Sequence, residues 1–125
     1  MPSQEVVCDK KEQLEKLWDW ILPGETLYAV YDCKGVGTGF IGVTDRRIIF
    51  YDKQFMRKKK AMVSVPFSQI AAVSSEDESG LLIGRGFFSS SKIGIHTTGN
   101  AYYEFEFRGA DKAHDAYCLI MPHLK

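Results

Sequence analysis

The stretch Gly39-Phe40-Ile41-Gly42-Val43-Thr44-Asp45-Arg46-Arg47-Ile48-Ile49-Phe50-Tyr51-Asp52 decides the fold class. It reads as two β-strands, residues 40–43 and 47–51, joined by a turn at Thr44, Asp45 and Arg46. Both flanks are rich in β-branched and aromatic residues, and the break between them is short and polar. Asp45 can accept hydrogen bonds from nearby turn amides, so the chain reverses without glycine. A hairpin this tight begins an antiparallel meander, and the chain reads as mainly β.

Upstream, residues 9–22 read as a helix. Leu14, Leu17, Trp18, Ile21 and Leu22 recur on one face. Asp9 and Glu12 have capping-box spacing, and Pro23-Gly24 is the stop signal. So short a helix is marginal alone in water, so its apolar face must dock on its own sheet or on another subunit. Residues 26–33 read as a strand, and residues 34–39 as a glycine-rich reversal. Residues 1–8 are a tail ahead of a single domain over residues 9–125.

Downstream of the hairpin, residues 53–60 are a polar loop and residues 61–65 a strand. After a turn over residues 66–69, a strand begins at Ile70 and runs to Ser75, where an acidic run over residues 76–80 interrupts it. The strand can resume over residues 81–88, and Ser89, Ser90 and Ser91 read as mobile. A last hairpin is clear: Ile93 and Ile95, then Tyr103, Phe105 and Phe107, alternate with more polar neighbours. Asp111 opens a second helix with Ala113, Ala116, Tyr117, Ile120 and Met121 on one stripe, and Pro122 ends it. The order helix, about seven antiparallel strands, helix fits two near-orthogonal sheets with the final helix plugging one corner.

The run "VTDRRIIF" resembles the β2–β3 hairpin of bacterial pleckstrin-homology-like (PH-like) domains, and the related GRAM domains carry a similar turn. "ILPGE" before the first long strand, "VPFSQIAAV" over residues 65–73 and the single terminal helix follow in the order of that family. The resemblance covers the chain from Asp9 onward and implies a PH-like barrel with an N-terminal helix and a C-terminal capping helix. It puts Arg47 at the family's regular arginine position and Arg46 at its variable basic one. Eukaryotic PH domains often grip phosphoinositides from the strand 1–2 loop; here that loop holds one lysine, Lys34. The family resemblance implies a non-enzymatic binding or assembly module, contacting protein partners, itself, or weakly an anionic lipid surface; some bacterial relatives form rings.

Composition agrees with a single compact domain. The 125 residues are 45% hydrophobic and 13% aromatic, enough for one core. No apolar run approaches the ~20 residues that span a bilayer, and the first residues lack the basic and apolar regions of a signal peptide. Cys8, Cys33 and Cys118 form no C-x-x-C pair, which fits free thiols in a reducing, cytoplasmic setting; a peripheral place at the membrane is the further expectation. Net charge is zero but unevenly spread: residues 33–60 hold eight Lys/Arg against two Asp, and both flanks are acidic.

Lys53, Arg57, Lys58, Lys59 and Lys60, with Phe55 and Met56 beside them, are the candidate contact for an anionic surface. A solvated loop tip is the plainer reading of the same residues. Leu14, Leu17, Trp18, Ile49 and Tyr51 form surplus apolar surface and are candidates for self-association into a homo-oligomer, unless the helix covers the sheet within one chain. The glycines at 35, 37 and 39 and at 84 and 86 match no phosphate-loop pattern. His96, His114 and His123 stand apart from one another, and Glu104 and Glu106 share the wet face of a strand. No catalytic residue, metal ligand or cofactor is expected. Nucleic acid is disfavoured because the aromatics do not interleave with the cations. The alternative of another class is a flavin-binding split-barrel oxidoreductase, in which the basic strand residues would hold phosphate.

Overall fold

A computed structural model describes residues 6–34, 38–52, 61–78, 90–109 and 111–124. Strand β1 (Val7–Cys8) is followed by helix α1 (Lys11–Trp18) and strands β2 (Leu27–Asp32), β3 (Thr38–Thr44), β4 (Arg47–Asp52) and β5 (Ala61–Pro66). A tight helical turn over Phe67–Gln69 leads into β6 (Ile70–Glu78), β7 (Ser90–Thr97), β8 (Tyr102–Phe107) and helix α2 (Lys112–Ile120). One sheet has the order β1-β2-β3-β4-β5, the other β6-β7-β8. β1 lies parallel to β2, with Val7 opposite Ala29 and Cys8 opposite Val30; the other pairs are antiparallel. The sheets meet where Cys33 bridges Phe107 and the Lys34 amide donates to the Glu106 carbonyl at 2.7 Å. Among the described residues no ladder joins β5 to β6, so the pair is a PH-like sandwich rather than a strictly closed barrel.

Strand alternation assigns each residue of the deciding hairpin to a face. Ile41, Val43, Ile48 and Phe50 point inward, where they meet Ile93, Ile95, Phe105 and Phe107 of the second sheet and Ala113, Ala116 and Ile120 of α2. A bulge between Thr38 and Phe40 brings Phe40 opposite Tyr51, and their rings stack at 5.2 Å on the outer face. Ile49 also faces outward, and α1 covers it: Leu17, Leu27, Val30, Phe40 and Ile49 form a second core. Leu17 sits directly over Gly42, where an added Cβ would come within 2.5 Å of the leucine Cδ1. Much of the apolar surface of the outer face is therefore covered by helix on sheet within one chain, with Leu14, Trp18 and Tyr51 left half-buried.

Several local expectations are corrected by the tertiary structure. Asp9 does not cap α1, which starts after Lys10 with no side-chain cap. Its carboxylate instead accepts from the Asp32 amide at 2.9 Å and the Lys112 ammonium at 2.7 Å, a stronger pairing than a helix-end amide offers. The helix ends at Trp18 rather than Leu22, and beyond that end the Trp20 carbonyl accepts from the Arg47 guanidinium at 2.7 Å. The hairpin turn amides of Arg46 and Arg47 donate to the Thr44 hydroxyl, both at 3.0 Å, while the Asp45 carboxylate accepts from the Thr26 amide.

The acidic run does not break β6, which continues to Glu78; Glu76 lies opposite Lys92, and opposite charges favour the pairing. Ser90 and Ser91 are buried members of β7. The Ser91 hydroxyl donates to the Gly109 carbonyl at 2.8 Å and accepts from the Ala113 amide at 3.0 Å, so it caps α2 from across the fold. Of the stripe on α2, Ala113, Ala116 and Ile120 are buried, Tyr117 is half-buried and Met121 is exposed. The resumed strand at 81–88 and Ser89 lie outside the described residues.

Two outcomes follow from this packing. Ending the chain after Arg108 removes three buried residues of α2 and should abolish cooperative unfolding, read by circular dichroism during urea titration. Gly42→Ala should push Leu17 outward and destabilise the protein by about 1–3 kcal/mol, with a change in tryptophan fluorescence as Trp18 is uncovered.

Candidate functional site

Two polar clusters frame the five-stranded sheet, one at each end. At the β3–β4 turn, Glu25 is buried with a side chain 0% exposed, and Arg47 is 15% exposed beside it. The guanidinium grips the carboxylate with both arms, Nε to Oε2 at 2.9 Å and Nη2 to Oε1 at 2.8 Å. The Thr44 hydroxyl donates to Oε2 at 2.7 Å and the Leu22 amide to Oε1 at 3.0 Å. Nη1 of Arg47 also donates to the Ser64 hydroxyl on β5. Burial alone would raise the Glu25 pKa, but Arg47, the Leu22 amide and Thr44 outweigh it and bring the carboxyl down to about 2. Arg47 is thus a framework residue, and Arg46 is exposed with one bond to the Gly24 carbonyl at 3.3 Å.

At the opposite end lie the β2–β3 and β4–β5 connections. There the Asp32 carboxylate accepts from Gln13 Nε2 at 2.8 Å and from Arg108 Nε at 2.8 Å, with the Lys10 ammonium 3.6 Å away. Burial would raise its pKa, but these partners hold it below the usual carboxylate range. Lys112 pairs with Asp9, and Lys34 with Glu106 at 3.7 Å. Each described cation of this cluster is answered by a carboxylate.

The run Lys53, Phe55, Met56, Arg57, Lys58, Lys59 and Lys60 lies outside the described residues. Its ends are described: Asp52 pairs with Ala61, the last rung of the β4–β5 ladder. Of the residues expected at a self-association surface, Leu17 and Ile49 are sealed inside the chain. Leu14 and Trp18 pack half-buried against them. Tyr51, also half-buried, stacks on Phe40 with the Lys16 ammonium 5.1 Å from its ring.

The histidines stay apart: His96 and His114 are exposed, while His123 is stacked on Phe67 at 5.0 Å and on Tyr28 at 5.8 Å. Glu104 is exposed and Glu106 is taken by Lys34. Among the described residues, no three His, Cys, Asp or Glu side chains stand together as a metal site, and no helix is long and apolar enough to cross a membrane.

A model of the GRAM domain family matches residues 9–125. The chain belongs to that family. The crystal structure of a pleckstrin homology domain from Shewanella amazonensis has a similar fold, with a TM-score of 0.62 at 21% identity over 94% of this chain and 100% of that one. No curated protein matches. GRAM and PH-fold domains are typically modules for binding protein or lipid rather than enzymes.

In this GRAM domain the two motifs "ILPGE" and "TDRR" are one structure, because the glutamate that ends the first is the partner of the second arginine in the second. Sequence reasoning saw both motifs but did not join them. A glutamate after Pro-Gly, far from any charge in sequence, was the available signal. The Asp32 to Arg108 pairing spans 76 positions and had none.

The Glu25 shift carries a pH dependence. Its folded pKa lies below the ordinary value of 4.5, so its contribution is complete above about pH 4.5 and lost as pH falls toward 2. Glu25→Gln should cost about 3 kcal/mol at pH 7, and the gap between parent and variant in urea unfolding should close between pH 4.5 and 2.

Proposed function

We propose that this GRAM domain is a non-enzymatic module that docks on an anionic lipid surface through the run Lys53 to Lys60. The observation that carries the reading is the ladder rung Asp52–Ala61, which anchors both ends of a stretch holding five cations and no acid. The described cations at the same end are already paired with carboxylates, which leaves this run as the candidate source of free positive charge. Phe55 and Met56 give it an apolar pair able to dip between headgroups. Each Lys or Arg near such a surface contributes about 1 kcal/mol. Five of them give weak binding that is steeply salt-dependent. The domain would then act from the cytoplasmic side as a peripheral protein. The flavin-binding split barrel has no support in the family or the fold match, and a purified protein without flavin absorbance would remove it.

Co-sedimentation with vesicles of phosphatidylserine and phosphatidylcholine tests this reading. The parent should pellet with mixed vesicles, stay in solution with pure phosphatidylcholine, and be released by high salt. Replacing Arg57, Lys58, Lys59 and Lys60 with glutamate should abolish pelleting while leaving the unfolding midpoint unchanged. Binding that survives the replacement sinks the assignment of this run.

A further inference from the structure

Strand β1 extends the first sheet by one short edge strand, and this edge overhangs α2. Because Val7 lies opposite Ala29, it faces the same side as Ala29 and Tyr31. Below it, Asp115, Cys118 and Leu119 stand on one face of α2, at spacings of three and four. Val7, Tyr31, Asp115, Cys118 and Leu119 together line a cleft of about 260 Å³. At ~30 Å³ per water that is room for roughly eight waters, or for a short alkyl chain with its head group.

We propose that this cleft binds a small amphiphile with an alkyl body and a protonated amine head. The body lies on Val7 and Leu119, and the head sits between the Tyr31 hydroxyl and the Asp115 carboxylate. The first support is an unanswered polar group. Tyr31 is only 2% exposed, its ring packed 5.4 Å from that of Phe107, yet its hydroxyl has no hydrogen-bond partner among the described residues. Tyr31 lines the cleft, so a donor or acceptor bound there can serve its phenol oxygen. The second support is Val7, an apolar residue 59% exposed at the rim, where an alkyl chain would cover it.

The charge of the head follows from the field around Tyr31. Burial, then Asp115, then Asp9 raise its pKa to about 12, so the phenol stays neutral in a negative surrounding. The Lys112 ammonium is 5.8 Å from the ring centroid, but Asp9 holds it at 2.7 Å. Asp115 itself is exposed and pairs with no cation among the described residues. Such a site attracts a cation and rejects a carboxylate of the same length.

Cys118 supplies the readout, because its exposed thiol lines the cleft, 3.5 Å from His114 Nε2. The rate of its alkylation by iodoacetamide is followed by peptide mass at constant ionic strength, with Cys8 as internal control. Hexylamine, hexanol and hexanoate present one chain with three heads. Hexylamine should slow alkylation of Cys118 saturably, hexanol more weakly, and hexanoate not at all. Asp115→Asn, at an exposed helix position, should raise the half-saturating hexylamine concentration about tenfold. Tyr31→Phe should raise it too, and if that core variant fails to fold, Asp115→Asn alone decides. The proposal is overturned by the absence of saturable slowing, by equal slowing with hexanoate, or by an Asp115→Asn variant that binds hexylamine as the parent does.

Discussion

The structure depends on one buried ion pair. Glu25 ends the connection from α1, and Arg47 opens β4, 22 positions later. A carboxylate taken out of water is tolerable only if its lone pairs are all answered. Here a two-armed guanidinium, a threonine hydroxyl and a backbone amide do so. Through Arg47 the same pair fixes the Trp20 carbonyl and the Ser64 hydroxyl, so the end of the helical segment, the β3–β4 turn and β5 are held at one point. Removing either partner would leave the other buried and alone, which is why the pair acts as a framework rather than as a free contact surface.

With that corner held, the five-stranded sheet is covered on both sides. The second sheet and α2 fill the inner face, and α1 fills the outer one. Gly42 makes the outer contact close, since any larger residue would stand where Leu17 packs. The helix is short and weakly specified by itself, and docking rather than propensity gives it its place. The apolar residues of the outer face that invite a second subunit on paper are spent largely within the chain.

Charge is sorted by end. The turn end carries the Glu25 to Arg47 pair, and the opposite end carries a set of matched pairs around Asp9 and Asp32. A chain of zero net charge can still concentrate one sign in a single stretch, as residues 53–60 do with five cations and no acid. The GRAM family and PH-like fold describe a scaffold on which binding varies by loop, and here the loop chemistry is legible even where the ladder beneath it is the only described structure.

What the sequence determined by itself was the element series. Alternation of period two marked β3, β4, β7 and β8, and the stripe Ala113, Ala116 and Ile120 marked α2, because these patterns are local consequences of burial on one face. The basic run was equally plain, since charge is read without geometry. The partners of Asp9, Glu25, Asp32 and Ser91 were decided only in three dimensions. Each is a polar group whose local options, a helix cap or a loop, lost to a stronger bond from a residue far along the chain. For the same reason the acidic start of the 76–80 run joined β6, where Lys92 stands opposite Glu76. Short-range patterns record which face is buried; they carry no record of which distant donor will meet a given acceptor, and that pairing is set when the sheets close on each other.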